Sequence, residues 1–246
     1  DEQKERLAEI LGREPGLFEL FLKYIPSIKK PDIDLITVTN GPGFEPALWV
    51  GINFARALSY IWQIPVMPTN HMEGHIVSVL KDNDSQIEFP MISLLISGGH
   101  TELVLIRDWG EYEVIGQTLD DAVGEAFDKV ARLMNLEYPG GPKVSLLAQQ
   151  AREENLKPET VSTELPEEIK ISLPRPMLNS GDYSFSFSGI KTAVLYLIKK
   201  LQEQNKFDER IKKAVALEFE NAVTEVLFKK TQSALFEFGA KRLIIG

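Results

Sequence analysis

Two histidines four residues apart frame the pentad His71-Met72-Glu73-Gly74-His75, just after the apolar segment 64–68. On a helix, residues at that spacing share a face, so both imidazoles can reach one metal ion. All three histidines fall within thirty residues, and the third, His100, sits in Gly98-Gly99-His100-Thr101, a glycine turn closing the β-type run 91–97. Backbone N–H groups in such a turn can cradle a phosphate, and its glycines permit positive φ and close approach of a ligand. Metal ligands and a phosphate loop so close in sequence point to one site handling an activated nucleotide. Plainer readings stand beside these: surface histidines opening a helix, and an ordinary hairpin turn that His100 braces. The zinc-protease pattern H-E-x-x-H needs Glu directly after the first His, and Met72 stands there, so that motif's general base is missing.

Three further constellations have functional and structural readings of their own. Asp120-Asp121-Ala122-Val123-Gly124-Glu125-Ala126-Phe127-Asp128 reads as the acidic start of a helix, favourable with the helix dipole whatever the function. Asp128 falls later, in the helix body, where its carboxylate serves either as part of a solvated face or as an acceptor for ribose hydroxyls. Pro139-Gly140-Gly141-Pro142 reads as a helix-to-helix turn, or as backbone lying against a nucleoside. Ser184-Phe185-Ser186-Phe187-Ser188-Gly189-Ile190-Lys191-Thr192 reads as a strand edge and N-cap, or as an adenine- or RNA-facing wall with Lys191 supplying charge.

The elements that would position these residues follow from periodicity. Helical pattern runs to about residue 29, then 33–39 is a β-type run closed by Asn40-Gly41-Pro42-Gly43. In 46–62 the residues Leu48, Ile52, Ala55, Leu58 and Ile61 recur at helical spacing, with Pro46 placed to start the helix. The polar segment 81–85 is the expected boundary, giving domains 1–85 and 86–246. Beyond it, 91–97, 101–107 and 112–117 read as a β-meander, and 120–136 and 143–155 as helices. Residues 153–168 read as a surface insertion, 186–204 and 208–238 as long amphipathic helices, and 241–246 as a buried strand entering a ligand turn. That last feature predicts a fragment cut before its final elements.

With 246 residues, 43% hydrophobic and 26% charged, the chain has an ordinary globular composition. No apolar run approaches the roughly 20 residues that span a bilayer, and the charged start is not a secretory signal, so the expected location is cytoplasmic. With no cysteine, disulfides and thiolate ligands are excluded, and a metal must be held by His and carboxylate oxygen. The net charge of -9 argues against a dedicated nucleic-acid binder but leaves room for a local basic patch or a basic partner.

In order, G-P-G, H-M-E-G-H, S-G-G-H-T, D-D-A-V-G-E-A-F-D-K, Y-P-G-G-P and S-F-S-G-I-K-T resemble the TsaD family, the bacterial tRNA threonylcarbamoyltransferases, from about residue 33 to 246. The resemblance implies an actin-like, sugar-kinase-like α/β ATPase fold of two lobes with the ligand cleft between them. It implies an acyltransferase that moves threonylcarbamoyl from threonylcarbamoyl-AMP to N6 of the adenosine next to the tRNA anticodon. By matching position, His71 and His75 would be metal ligands, for iron(II) in the first place or zinc. Leu95, Ile96, Ser97, Gly98 and Gly99 would bind the adenylate, with Asp128 at the ribose and Gly141 against the nucleoside. The family works with a paralogous actin-like partner, TsaB, and a small P-loop ATPase, TsaE. The family's amino-terminal phosphate loop has no counterpart before residue 33. Its third metal ligand, an Asp, and its G-G-V-x-x-N segment would lie beyond residue 246, so this stretch alone is expected to have little activity. The rival readings are a non-catalytic nucleotide-binding partner subunit, which would not need the two histidines, and a metallopeptidase, which lacks its base.

Overall fold

The computed structural model describes residues 2–80 and 87–246 and is a mixed α/β structure. The chain divides into two compact units, Asp1–Lys81 and Asp82–Gly246. The sequence-based boundary at 81–85 lies outside the described residues.

The first unit begins with α1 (Glu2–Leu11) and α2 (Leu17–Tyr24), a pair where the sequence reads as one helical stretch. The break has a local cause. Pro15 cannot donate a helical hydrogen bond, and Gly16 takes a left-handed φ of 78° before α2. Strand β1 (Ile36–Gly41), helix α3 (Glu45–Trp62) and parallel strand β2 (Val66–Asn70) then form a βαβ unit, with Ile36 opposite Val66. Pro46 lies in the first turn of α3, where its missing N–H costs nothing. Leu7, Ile10, Leu11, Phe21, Ile25 and Ala57 form the core of this unit, and the Phe21 ring meets Phe54 edge-to-face at 5.7 Å. Helix α4 (His71–Leu80) follows β2 without a linker.

The second unit is built on a four-stranded sheet of order β5-β4-β3-β6, formed by β3 (Met91–Ile96), β4 (Thr101–Asp108), β5 (Glu111–Gln117) and β6 (Arg242–Ile245). The first three are antiparallel neighbours, whereas β6 returns parallel to β3 with Met91 opposite Arg242. Between β5 and β6 lie α5 (Val123–Leu133), α6 (Gly140–Glu153), the short α7 (Pro158–Ser162), α8 (Ser188–Glu203) and α9 (Glu209–Glu237). Asp208 caps α9 by accepting the Ile211 amide at 2.9 Å. Over Ala214-Val215-Ala216-Leu217-Glu218-Phe219 every residue of α9 is buried, so this helix runs through the core and is not amphipathic there.

Three expectations change here. The helix expected from residue 120 starts at Val123, which frees Asp120 and Asp121 for other contacts. Gly140 and Gly141 belong to the first turn of α6 and do not form the turn before it. Residues 153–168 are not a mere surface insertion, because Pro158 and Val161 of α7 are buried, Val161 within the main core.

Candidate nucleotide and metal sites

Asn70, the last residue of β2, makes α4 start where it does. Its side-chain oxygen accepts the Met72 amide at 2.8 Å and the Glu73 amide at 3.4 Å, an N-cap that leaves His71 in the first turn. His71 and His75 then stack one turn apart, ring centroids 4.6 Å apart and Nε2 atoms 3.2 Å apart, on the exposed side of a helix that buries Met72 and Ile76. Two nitrogens each about 2.0–2.1 Å from one ion, at a near-tetrahedral angle, lie roughly 3.3–3.4 Å apart. The pair therefore fits as two ligands of one metal. Among the described residues, no group of three or more His, Asp or Glu side chains is placed to hold a metal ion.

In the second unit, Ser97, Gly98, Gly99 and His100 connect β3 to β4, with Ile96 paired to Thr101. The Ser97 amide donates to the His100 carbonyl at 2.9 Å. Ser97 Oγ accepts the Gly99 amide at 3.3 Å and the His100 amide at 3.0 Å. Two of the amides that sequence offers to a phosphate are thus held by a hydroxyl of the same turn. Contrary to expectation, neither Gly98 nor Gly99 has positive φ. A Cβ built on either would meet nothing within 4 Å. Neither backbone conformation nor internal packing requires glycine at these two positions.

The turn rests on α5. A Cβ on Gly124 would come 2.8 Å from Gly98 Cα and 3.0 Å from the Ser97 carbonyl oxygen, so only glycine lets the helix start this close to the turn. One turn along α5, on the same face, Asp128 Oδ1 accepts the Gly140 amide at 2.8 Å, while a Cβ on Gly140 would sit 2.4 Å from Ala131 Cβ. Glycine turn, Gly124, Asp128 and Gly140-Gly141 thereby follow one another along α5. Asp128 has a structural duty, capping the start of α6 through Oδ1. Leu95 is buried and Ile96 half-buried, so these two can offer a ligand chiefly backbone; the Ile96 amide donates to the Gly246 carbonyl at 2.7 Å.

The aromatic-wall reading of 184–192 is overturned. Phe185 and Phe187 are fully buried and stacked, centroids 6.0 Å apart, and belong to the core. Their serines serve Asp120. Its carboxylate accepts the hydroxyls of Ser186 and Ser188 at 2.6 Å each, the Phe187 amide at 2.8 Å and the Ser188 amide at 3.2 Å. Partial burial pushes the Asp120 carboxyl up, but these four hydrogen bonds outweigh it and hold the carboxyl below its usual range. Asp121 pairs with Lys129. Sequence reasoning missed Asp120 as the cap of α8 because its partners lie more than sixty residues away; the serines flanking Phe187 were the available signal.

A family model described as TsaD, tRNA N6-adenosine threonylcarbamoyltransferase, matches residues 20–246. The tRNA N6-adenosine threonylcarbamoyltransferase of Chromobacterium violaceum is 44% identical over 218 residues, covering 88% of this chain and 59% of its own length. Those of Methylobacillus flagellatus and Burkholderia cenocepacia are 46% and 47% identical, covering 87% and 88% of this chain and 58% and 59% of their own lengths. The chain spans somewhat under two thirds of the curated relatives it matches.

Proposed function

This chain belongs to the TsaD family, and from that premise we propose that the whole protein is a tRNA N6-adenosine threonylcarbamoyltransferase, an acyltransferase that takes its acyl group from threonylcarbamoyl-AMP. The observation that carries the reading is the pair Gly98-Gly99. Glycines that neither φ nor packing demands leave bare backbone for something outside the chain to approach.

The phosphate of the adenylate would lie on this turn. Ser97 Oγ already accepts two amides, which polarises its own O–H as an outward donor, and the Gly98 amide has no partner among the described residues. These two donors would face the phosphate, with backbone at Leu95 and Ile96 lining the approach. Asp128 would receive a ribose hydroxyl on Oδ2, its Oδ1 being engaged by Gly140, and Gly141 would lie against the nucleoside.

His71 and His75 would hold one divalent ion through Nε2, iron(II) first and zinc second, imidazole suiting both. When bound, the ion would supply Lewis acidity and fixed positive charge. In the reaction, N6 of adenosine attacks the carbamoyl carbonyl, the new C–N bond forms as the C–O bond to phosphate breaks, AMP leaves with the electron pair, and the amine's proton passes to solvent. The mixed anhydride already carries a good leaving group, so the chain needs no nucleophile of its own. Its contribution is to hold the phosphate by oriented donors as charge develops there.

A chain of net charge -9 would draw part of its tRNA surface from partners, a TsaB-like paralogue and a TsaE-like P-loop ATPase. Work on tRNA would place it in the cytoplasm, and no helix among the described residues is long and apolar enough to cross a membrane. The test supplies full-length protein and both partners with threonylcarbamoyl-AMP and tRNA. Threonylcarbamoyl-AMP consumption that depends on tRNA is the expected result, and its absence sinks the reading.

A further inference from the structure

Thr101 touches neither the exposed side of the glycine turn nor bulk solvent, being fully buried at the start of β4. Its Oγ1 nonetheless accepts the amide of Val123, the first residue of α5, at 2.9 Å, and its carbonyl accepts the Thr118 amide at 2.9 Å. Thr118 Oγ1 in turn donates to the Asp121 carbonyl at 2.7 Å, shaping the loop that leads into the helix. The residue after Val123 is Gly124, whose missing Cβ lets α5 lie directly on Gly98 and Ser97. One buried hydroxyl thus fixes the start of the helix on which the turn rests.

We propose that Thr101 is a positioning residue: it sets the Gly98-Gly99 turn by holding the first amide of α5, and nucleotide affinity depends on it although it meets no ligand. The ligand part of this rests on the adenylate reading above. Without the hydroxyl, Val123 N–H becomes a buried donor with no acceptor, and the helix start must shift or open to water to satisfy it. Any such shift is passed to Gly98 through the Gly124 contact, because no side chain lies between them to absorb it.

The experiment uses the full-length protein with AMP as the probe. It compares T101V, which keeps shape and loses the acceptor, with T101S, which restores it. S162A serves as a control, since Ser162 Oγ accepts the Ile171 amide at 2.8 Å beside α7. AMP affinity, amide hydrogen exchange at Gly99 and His100, and thermal midpoint are measured together. The expected result is that T101V weakens AMP about tenfold and speeds exchange at both amides, T101S stays within about twofold of the parent, and S162A lowers the midpoint alone. Should T101V not fold, G124A presses on Gly98 from the helix side and is expected to show the same loss of affinity with the Thr101 bond intact. A T101V protein that is less stable but keeps parental affinity and exchange, as S162A would, overturns the proposal. If the parent itself does not bind AMP, the adenylate reading falls, and exchange at Gly99 and His100 alone decides whether Thr101 sets the turn.

Discussion

At the residue scale, Gly98 and Gly99 separate binding from stability. An alanine at either meets open space and an ordinary φ, so unfolding free energy should hold or rise, by up to about 1 kcal/mol, as the unfolded chain loses freedom. AMP affinity should nevertheless fall roughly tenfold or more, as calorimetric titration would register, because on the proposed adenylate reading the added methyl would stand in the ligand's path. Unchanged affinity in both variants would remove the turn from the site. His75→Ala should weaken zinc or iron(II) binding by more than about 100-fold, since even outer partners of metal ligands are worth 10–100-fold. Equal metal affinity in parent and variant would show that the 3.2 Å pair is only a surface contact. The histidine spacing was legible in the sequence because the helix period alone brings His71 beside His75. The Ser97 hydroxyl bonds were not, because whether a turn amide faces a ligand or its own serine depends on torsions that composition does not encode.

At the element scale, the helix starts carry the design. Asp120→Asn should loosen α8 and cost about 1–2 kcal/mol at neutral pH in denaturant unfolding, from loss of charge-assisted bonds to two hydroxyls and two amides. Its carboxyl is held below the unfolded value of about 3.9, so its contribution is complete above that pH and is lost as pH falls through the lower folded value. The gap between parent and D120N should therefore close in acid; a gap that persists there would contradict this role. On α9, Glu218 is buried and accepts the Leu173 amide at 2.9 Å and Arg175 Nη1 at 2.5 Å, while Arg175 Nε reaches Glu225 at 2.9 Å. Glu218→Ala should destabilise by about 1–3 kcal/mol, because it leaves the buried Leu173 amide without its acceptor and takes from Arg175 one of its two carboxylate partners. Periodicity located α8 and α9 nearly to the residue, and alternation located the meander. It failed at α5 and α6, where Asp120-Asp121 read as helical acid and Gly140-Gly141 as a break. Both misreadings arise from tertiary partners: α8 takes Asp120, and the close approach of Ala131 and Asp128 requires glycine at 140.

For the whole molecule, the contrast between the units is one of core size. The first closes around the small cluster of Leu7, Ile10, Leu11, Phe21, Ile25 and Ala57, whereas the second buries a far larger set that includes one face and the central turns of α9. Trp49 and Trp62 belong to the first unit, and Trp109, packed on Phe89, to the second. In a Trp109→Phe variant, tryptophan fluorescence should report a urea midpoint below that of far-ultraviolet circular dichroism, the first unit melting earlier. Coincident transitions would mean that the units unfold as one. The parallel pairing of β3 with β6 has a consequence in time. Met91 waits for Arg242, about 150 residues downstream, and at ribosomal rates that interval lasts roughly 8–30 s. Throughout it, the nascent chain presents an apolar strand edge with no neighbour on that side, a template for wrong pairing that the first unit, whose two strands lie about thirty residues apart, exposes far more briefly.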